Sequence, residues 1–131
     1  MSISNLLQPN NFPIQGSGGS GPGSITGGFT ADPNVTLLSS IVVQTGKIVS
    51  ATIAYQLVNT PPASPGQMKI GQLTGVGFPP FSASSVCVPA TNPQNRGTTT
   101  VSNAGGVFIG DGATPYVVGE FLTSTFTYAV L

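Results

Sequence analysis

Residues 48–58 read IVSATIAYQLV, and this stretch decides the fold class of the chain. Every second residue in it is apolar, so one side of the extended chain carries Val49, Ala51, Ile53, Tyr55 and Leu57. A period of two is typical of a β-strand that is buried on one face. No window of the chain shows a convincing helical period. We therefore predict a protein made of strands.

Further strands follow from similar patterns between residues 29 and 131. The predicted segments are Val35–Val43, Met68–Leu73, Ser85–Pro89, Thr98–Ser102, Val107–Ile109, Tyr116–Leu122 and Thr123–Leu131. Gly110-Asp111-Gly112 has the residue types of a hairpin turn, which predicts that the strands on either side pair. Seven or eight short strands, spaced about 8–12 residues apart, indicate an antiparallel sandwich, barrel or jelly roll. Our prediction is an all-β fold, an antiparallel β-sandwich that is jelly-roll-like.

The first 28 residues have a different character. Residues 1–15 contain prolines at positions 9 and 13, which prevent a regular helix and favour extended structure. Residues 16–28 are rich in glycine and serine, as is typical of a flexible tether. We predict an extended N-terminal anchoring arm over 1–15, a tether over 16–28 and the β-sandwich domain over 29–131. The alternative for the arm is a frayed terminus. The anchoring side chains are predicted to be Ile3, Leu6, Leu7, Phe12 and Ile14.

The chain carries very little charge. Three basic and three acidic residues give a formal net charge of zero in 131 residues. The charged fraction is 5%, whereas an ordinary soluble domain has about 25%. Interspersed charge normally keeps a free protein soluble, so we expect copies of the chain or other subunits to cover this surface. The alternative is a monomer that its many Ser, Thr, Asn and Gln residues keep solvated.

Several partners and locations are disfavoured. Lys47, Lys69 and Arg96 cannot neutralise a run of phosphates, so we expect no nucleic-acid partner. No uncharged apolar run approaches the roughly 20 residues that span a bilayer, so we expect no membrane insertion. The start lacks a basic region followed by a long apolar one. We therefore expect no secretory signal, and synthesis in a cytoplasm.

The sequence predicts no catalytic, metal or cofactor site. It has no histidine and one cysteine, so the residue types used for acid–base chemistry and metal binding are scarce. Asp111 and Glu120 are the carboxylates of the C-terminal half, and a hydrolytic pair made of them is the enzyme alternative. A turn explains Asp111 without chemistry. Cys87 is predicted to be a small buried residue, with an intermolecular disulfide as the alternative.

Two parts of the sequence resemble known viral proteins. The opening, MSISNLL followed by Pro9-Asn10-Asn11, resembles the start of a group of small proteins of large DNA viruses. The body resembles a β-rich domain found at the ends of viral and phage fibre proteins. That domain has a G-x-I/V-V strand, here within residues 45–51, and a terminal F-x-Y-x-V/L strand, here within 125–131. An aromatic and a basic residue usually precede the first motif, whereas Val43-Gln44-Thr45 stands here. The resemblance implies a homotrimeric fibre head or a capsid-surface protein without catalytic residues.

Together these observations predict a viral structural protein, a fibre head or minor capsid component at the virion surface that serves in host attachment. Residues 1–15 would bind other capsid or fibre proteins, and the loops 59–67 and 91–97 would face a host surface or a neighbouring capsomer. The side chains predicted to pack between subunits are Tyr55, Phe126, Tyr128 and Val130.

Two other functions stay open. The chain could be a subunit of an extracellular filament, with its arm inserted into the next subunit as an added strand. It could also be a lectin-like module that binds host surface glycan through exposed aromatic rings.

Overall fold

A computed structural model describes residues 23–131, and within them the chain forms nine strands and no helix. The all-β class and the antiparallel pairing predicted from the sequence are confirmed. The strands are β1 (Ser24–Thr26), β2 (Gly28–Ala31), β3 (Val35–Thr45), β4 (Ile48–Leu57), β5 (Met68–Thr74), β6 (Ala83–Pro89), β7 (Gly97–Val101), β8 (Gly106–Ile109) and β9 (Phe121–Ala129).

All nine strands belong to one nearly closed sheet. Their order is β1-β3-β4-β9-β6-β7-β8-β5-β2, so the two sheet edges are consecutive pieces of the chain. β1 pairs with β3, β2 pairs with β5, and the Gly27 N–H between them donates to the Val42 carbonyl at 2.8 Å. A Cβ at Gly27 would lie 2.6 Å from Val76 Cγ1, so only glycine allows the chain to pass here. Residues 24–31 thereby connect both edges of the sheet.

In β4, β5 and β9 the apolar side faces the interior of this sheet, whereas β1 and β6 expose Ile25 and Val86. β4 alternates between exposed and buried residues as its sequence predicts, and Val49, Ile53 and Tyr55 are completely buried. In β3 the pairing with β4 shifts between Leu37 and Ser39, where a β-bulge changes which residues face inward. Val35 is therefore buried before the bulge, and Val42, an even-numbered position, is buried after it.

Two differences from the sequence predictions change the topology and the extent of the sheet. The prediction of a hairpin at Gly110-Asp111-Gly112 is wrong. The strand before it, β8, pairs with β5 and β7, whereas the strand after it, β9, pairs with β4 and β6. Residues 110–120 form a loop instead of a strand. The sheet also begins at Ser24, which lies inside the range predicted as tether.

The sheet has two unlike ends. At the first, which we call the entry end, the described chain begins at Gly23, beside the β3–β4 turn, the 75–82 loop and the C-terminal residues 130–131. At the other, which we call the loop end, lie the connections 32–34, 58–67, 90–96 and 110–120. Five of the six charged residues lie in or next to the loops of the loop end, and Lys47 is the exception. The charge of the molecule is thus concentrated at one end.

Candidate functional site

The largest distinctive surface is the outer face of five neighbouring strands. One row of side chains crosses them in register on β3, β4, β9, β6 and β7, and all of its members are solvent-exposed. The row consists of Ile41, Thr52, Thr125, Val86 and Thr98. Ile41 is 66% exposed and Val86 is 42% exposed, so this row presents apolar branched side chains to its surroundings.

The neighbouring rows have the same chemistry. Val43, Ser50 and Thr127 follow on one side of the central row, and the Ser50 and Thr127 hydroxyls lie 3.3 Å apart. Ala54 and Thr123 follow on the other side. None of the strands β3, β4, β9, β6 and β7 contains a charged residue. We call this outer surface the uncharged face.

The dimensions of the uncharged face follow from sheet geometry. Five strands about 4.8 Å apart and nine residues of about 3.3 Å each outline an area of roughly 700 Å². Threonine and serine hydroxyls lie between the apolar side chains of this area, so only part of it is apolar surface. A shallow depression of about 140 Å³ lies within it, bordered by Ile41, Val43, Thr52, Thr125 and Thr127. The face is open and has no deep pocket in which a substrate could be enclosed.

A second group of polar side chains lies inside the sheet. The Tyr55 hydroxyl is 2.7 Å from Ser124 Oγ, which is 2.8 Å from Thr99 Oγ1. Close by, the Tyr116 hydroxyl donates to the Asn95 carbonyl at 2.8 Å and lies 3.6 Å from Cys87 Sγ. Each hydroxyl therefore has a partner, as buried polar groups require.

Burial keeps this interior group neutral. Desolvation raises the pKa of the Tyr55 hydroxyl well above its usual range, and it also raises the pKa of the Cys87 thiol. A reactive cysteine needs a lowered pKa and access to solvent, whereas Cys87 is completely buried. The predicted burial of Cys87 is confirmed, and the arrangement stabilises the fold without offering a nucleophile.

The two carboxylates of the C-terminal half both hold the 110–120 loop. Asp111 Oδ1 accepts the Tyr116 N–H at 3.2 Å, and Glu120 Oε1 accepts the Val117 N–H at 3.1 Å. Each is therefore engaged with the backbone of its own loop. Through these contacts both carboxylates stabilise the conformation of the 110–120 loop.

An open groove of about 390 Å³ lies at the loop end. It is lined by Thr91, by residues 117–119, and by Glu120 and Phe121. Val117 and Val118 are exposed by 64% and 66%, and Phe121 by 45%. The groove thus combines an exposed ring, two branched apolar side chains and one carboxylate.

The side chains predicted for subunit packing lie within the sheet of their own chain. Tyr55, Phe126 and Tyr128 are buried in the core, and Val130 packs partly buried against it. Phe126 and Tyr128 stack with ring centroids 6.3 Å apart. The arm residues Ile3, Leu6, Leu7, Phe12 and Ile14 lie outside the described residues.

The sequence reasoning missed the residues of the uncharged face. Ile41, Thr52, Thr125 and Val86 each fall on the polar or mixed side of a strand, and nothing in one strand's pattern shows which strands are neighbours. The available signal was the absence of charge on both sides of every long strand. An ordinary strand at a water-exposed surface carries Lys, Glu or Arg on its outer positions.

Two kinds of feature are absent from residues 23–131. That part of the chain has no helix with the length and apolar character to cross a membrane. It also has no cluster of three or more Cys, Asp or Glu side chains arranged to hold a metal ion. Comparisons of the chain with protein-family profiles, curated proteins and solved structures found no match.

Proposed function

We propose that the protein is a structural component of a virion surface, a fibre head or minor capsid protein that acts by self-assembly into a homotrimer. The observation that carries this proposal is the uncharged face, where branched and hydroxyl side chains form one continuous row across five strands and shorter rows on either side of it. Apolar area buried between subunits contributes about 25 cal/mol per Å². Because the face carries no charge, its burial has no charge desolvation to overcome.

The charge distribution supports a particular orientation within such an assembly. The loops 59–67 and 91–97, which we propose face a host surface, are both at the loop end together with five charged residues. The described chain begins at the opposite, entry end, so residues 1–15 would bind capsid or fibre proteins on that side. The virion surface, after synthesis in the host cytoplasm, is the proposed location.

The jelly-roll-like sandwich belongs to the same proposal. It is supported by the strand order, in which β9 lies between β4 and β6 although it comes last in the sequence. Such long-range neighbours are typical of Greek-key and jelly-roll connections. An experimental structure with two separate facing sheets would establish this finer arrangement.

The assembly surface is tested by a single charge at its centre. Thr125→Lys places an ammonium group in the middle of the central row, between Thr52 and Val86. In a trimer through this face the charge would be desolvated, so we expect a shift from trimer to monomer in sedimentation velocity. The matched control is Thr60→Lys, an exposed threonine at the loop end that should leave the mass unchanged.

Two outcomes would contradict this surface. Thr125→Lys could keep the mass of the unaltered protein while remaining folded by circular dichroism. Alternatively, Thr60→Lys could dissociate the assembly as completely as Thr125→Lys does. Either result would locate the subunit contact elsewhere on the molecule.

The groove at the loop end favours a second activity, the binding of an uncharged host glycan. Phe121 offers a ring on which a sugar can stack, and Glu120 offers a carboxylate beside it. A glycan array with the full chain tests this activity, and Phe121→Ala should remove any signal. An array without signal would leave the assembly role standing and exclude the glycan.

A further inference from the structure

The described chain begins with a segment that closes the sheet. Residues 24–31, which we call the closing segment, contain β1 and β2, and these two strands stand at the two ends of the strand order. Without the closing segment, the remaining order is β3-β4-β9-β6-β7-β8-β5, an open sheet whose edges are β3 and β5. Open strand edges invite pairing with another chain. The closing segment therefore covers the two edges at which this protein would otherwise associate.

Backbone hydrogen bonds to the rest of the sheet hold the closing segment. β1 makes three residue pairs with the end of β3, and β2 makes four with β5. Between the two strands, the Gly27 N–H donates to the Val42 carbonyl at 2.8 Å. Directly after β2, the Asp32 N–H donates to the Ile70 carbonyl at 2.8 Å. All of these acceptors and donors belong to β3 and β5, so any copy of the chain can supply them.

One side chain anchors the closing segment in the interior. Phe29 is buried, whereas Ile25, the other large apolar residue of the segment, is 51% exposed. A Cβ at Gly71 would collide with the Phe29 ring, so this glycine of β5 leaves the space that the ring fills. The space for the anchor thus belongs to β5 and not to the closing segment. Release of the segment exposes a single large buried side chain.

The connection between the closing segment and the rest of the sheet is short. Residues 32–34 join β2 to β3. In this turn the Val35 N–H donates to the Asp32 carbonyl at 3.1 Å, and the Asn34 N–H donates to Asp32 Oδ1 at 3.2 Å. Pro33 fixes its own φ at a value that occurs both in turns and in extended chain. Extension of the turn breaks these two hydrogen bonds and leads the closing segment away from its own sheet.

We infer that copies of this chain exchange their closing segments, so that residues 24–31 of one copy close the sheet of the next. The partner of the β3 and β5 edges is then a second copy of the same chain. Exchange keeps every contact of the closing segment, and only the 32–34 turn changes. The exchanged and unexchanged arrangements therefore differ little in these contacts. A further contact between the copies decides between them.

The uncharged face supplies such a contact. Thr26 of β1 lies opposite Val43, and Val43 lies opposite Ser50. Ser50 in turn lies opposite Thr127, so the closing segment extends one row of the uncharged face. This inference rests on the proposed function in taking that face as the contact between copies. Head-to-tail exchange around three copies also closes a ring, in agreement with the proposed homotrimer.

A disulfide between β1 and β3 tests the exchange in the full chain. The Ser24 and Thr45 hydroxyls lie 3.1 Å apart, so cysteines at both positions are close enough to form a disulfide when oxidised glutathione is added. In the double variant Ser24→Cys/Thr45→Cys, exchange joins each chain to its neighbour. We expect linked chains in a denaturing gel without reductant and single chains after reduction. Oxidised protein that runs as single chains would overturn the inference.

Two controls accompany the double variant. Thr36→Cys/Gln56→Cys is the matched pair, because these residues lie opposite each other on β3 and β4, outside the closing segment, and their disulfide should stay within one chain. Thr45→Cys alone should also run as a single chain, since Cys87 is completely buried. Equal linkage by either control would mean that cysteines of neighbouring copies meet without exchange, and it would overturn the inference.

Sedimentation of the same oxidised samples separates the inference from the proposed function. A trimeric mass with disulfides inside each chain would retain the trimer and overturn the exchange. Linked pairs of chains with a dimeric mass would retain the exchange and contradict the trimer. A monomeric mass with internal disulfides would contradict both. Cysteines that stay reduced would contradict the contact between Ser24 and Thr45, on which the closing segment depends, and would likewise overturn the inference.

Discussion

The Tyr55 hydroxyl lies 2.7 Å from the Ser124 hydroxyl, and this contact joins β4 to β9 inside the sheet. Ser124 also lies 2.8 Å from Thr99 Oγ1 on β7, so one small hydroxyl connects three strands. All three residues are completely buried. Their hydroxyls have no access to water, and each depends on the others for its hydrogen bonds.

Removal of the Ser124 hydroxyl should destabilise the folded protein. We expect Ser124→Ala to lower the free energy of unfolding by about 1–3 kcal/mol, because it removes a hydrogen-bond partner from both Tyr55 and Thr99. Urea denaturation measures this change. Ser50→Ala is the matched control, since Ser50 is exposed and its hydroxyl contacts Thr127 at 3.3 Å, and it should cost less than about 0.5 kcal/mol. Equal costs for the two variants would contradict the importance of the buried contact.

Stability should fall at alkaline pH. Burial raises the pKa of Cys87, of Tyr55 and of Tyr116, and it raises the pKa of Tyr128 to about 12. The unfolded chain therefore loses these protons at lower pH than the folded chain does. The stability that they contribute is complete below about pH 9, the usual value for the thiol. It is lost as the pH rises, by about 1.4 kcal/mol per pH unit for each group.

The test is a series of urea midpoints between pH 6 and pH 11. Tyr128→Phe should reduce the alkaline slope above pH 10, the ordinary value for a tyrosine, because one titrating group is gone. The variant also loses the hydrogen bond to the Gly77 carbonyl, so its midpoint at pH 7 should be lower. A midpoint that stays constant up to pH 11 would mean that these groups are accessible to water in the folded protein.

Gly97 should not tolerate a side chain. A Cβ at this position would lie 2.6 Å from the Tyr116 hydroxyl and 3.0 Å from Cys87 Sγ, and it would also meet the Gly110 carbonyl. We expect Gly97→Ala to destabilise the protein by about 1–3 kcal/mol through overpacking. Gly28→Ala is the comparison, because its Cβ would meet only the Thr74 hydroxyl at 3.0 Å. Thermal unfolding of the two variants tests this prediction, and Gly97→Ala should have the lower midpoint temperature. Equal midpoint temperatures would contradict the tight packing around Cys87.

Cys87 should react only after unfolding. The thiol is completely buried, and its pKa is raised by desolvation, so both access and thiolate population are low in the folded protein. We expect a thiol reagent such as Ellman's reagent to modify Cys87 at least about a hundredfold faster in 8 M urea than in buffer, once the urea effect on a free thiol is subtracted. Rapid modification in buffer would show an open route to the interior. It would also restore the intermolecular disulfide as an alternative.

The sequence predicted single strands well and their arrangement poorly. The alternation in residues 48–58 identified β4 to within one residue and assigned its buried face correctly. Tyr116–Leu122 was predicted as a strand because it is rich in β-branched and aromatic residues. The Tyr116 hydroxyl is instead directed inward to the Asn95 carbonyl, and Gly119 adopts a φ of 90°, so most of this segment is loop. In this segment the tertiary contacts of Tyr116 outweigh the strand propensity of the local sequence.

The candidate site depends on the arrangement of the strands, which the sequence does not predict. The central row of the uncharged face joins β3 to β9 and β6, and no local pattern shows that the last strand inserts between the fourth and the sixth. The bulge after Leu37 also determines that Ile41 faces outward, and a bulge has no clear signal in a run such as VTLLSSIVVQT. The scarcity of charge was visible from the start, and it indicated the character of the surface before its location was known.

The mass of the full, unaltered chain in solution tests the central claim most directly. Sedimentation equilibrium at micromolar concentration should give three times the chain mass of 13.2 kDa if the uncharged face joins subunits as proposed. A single species of 13.2 kDa that stays monomeric as the concentration is raised would contradict self-assembly through this face.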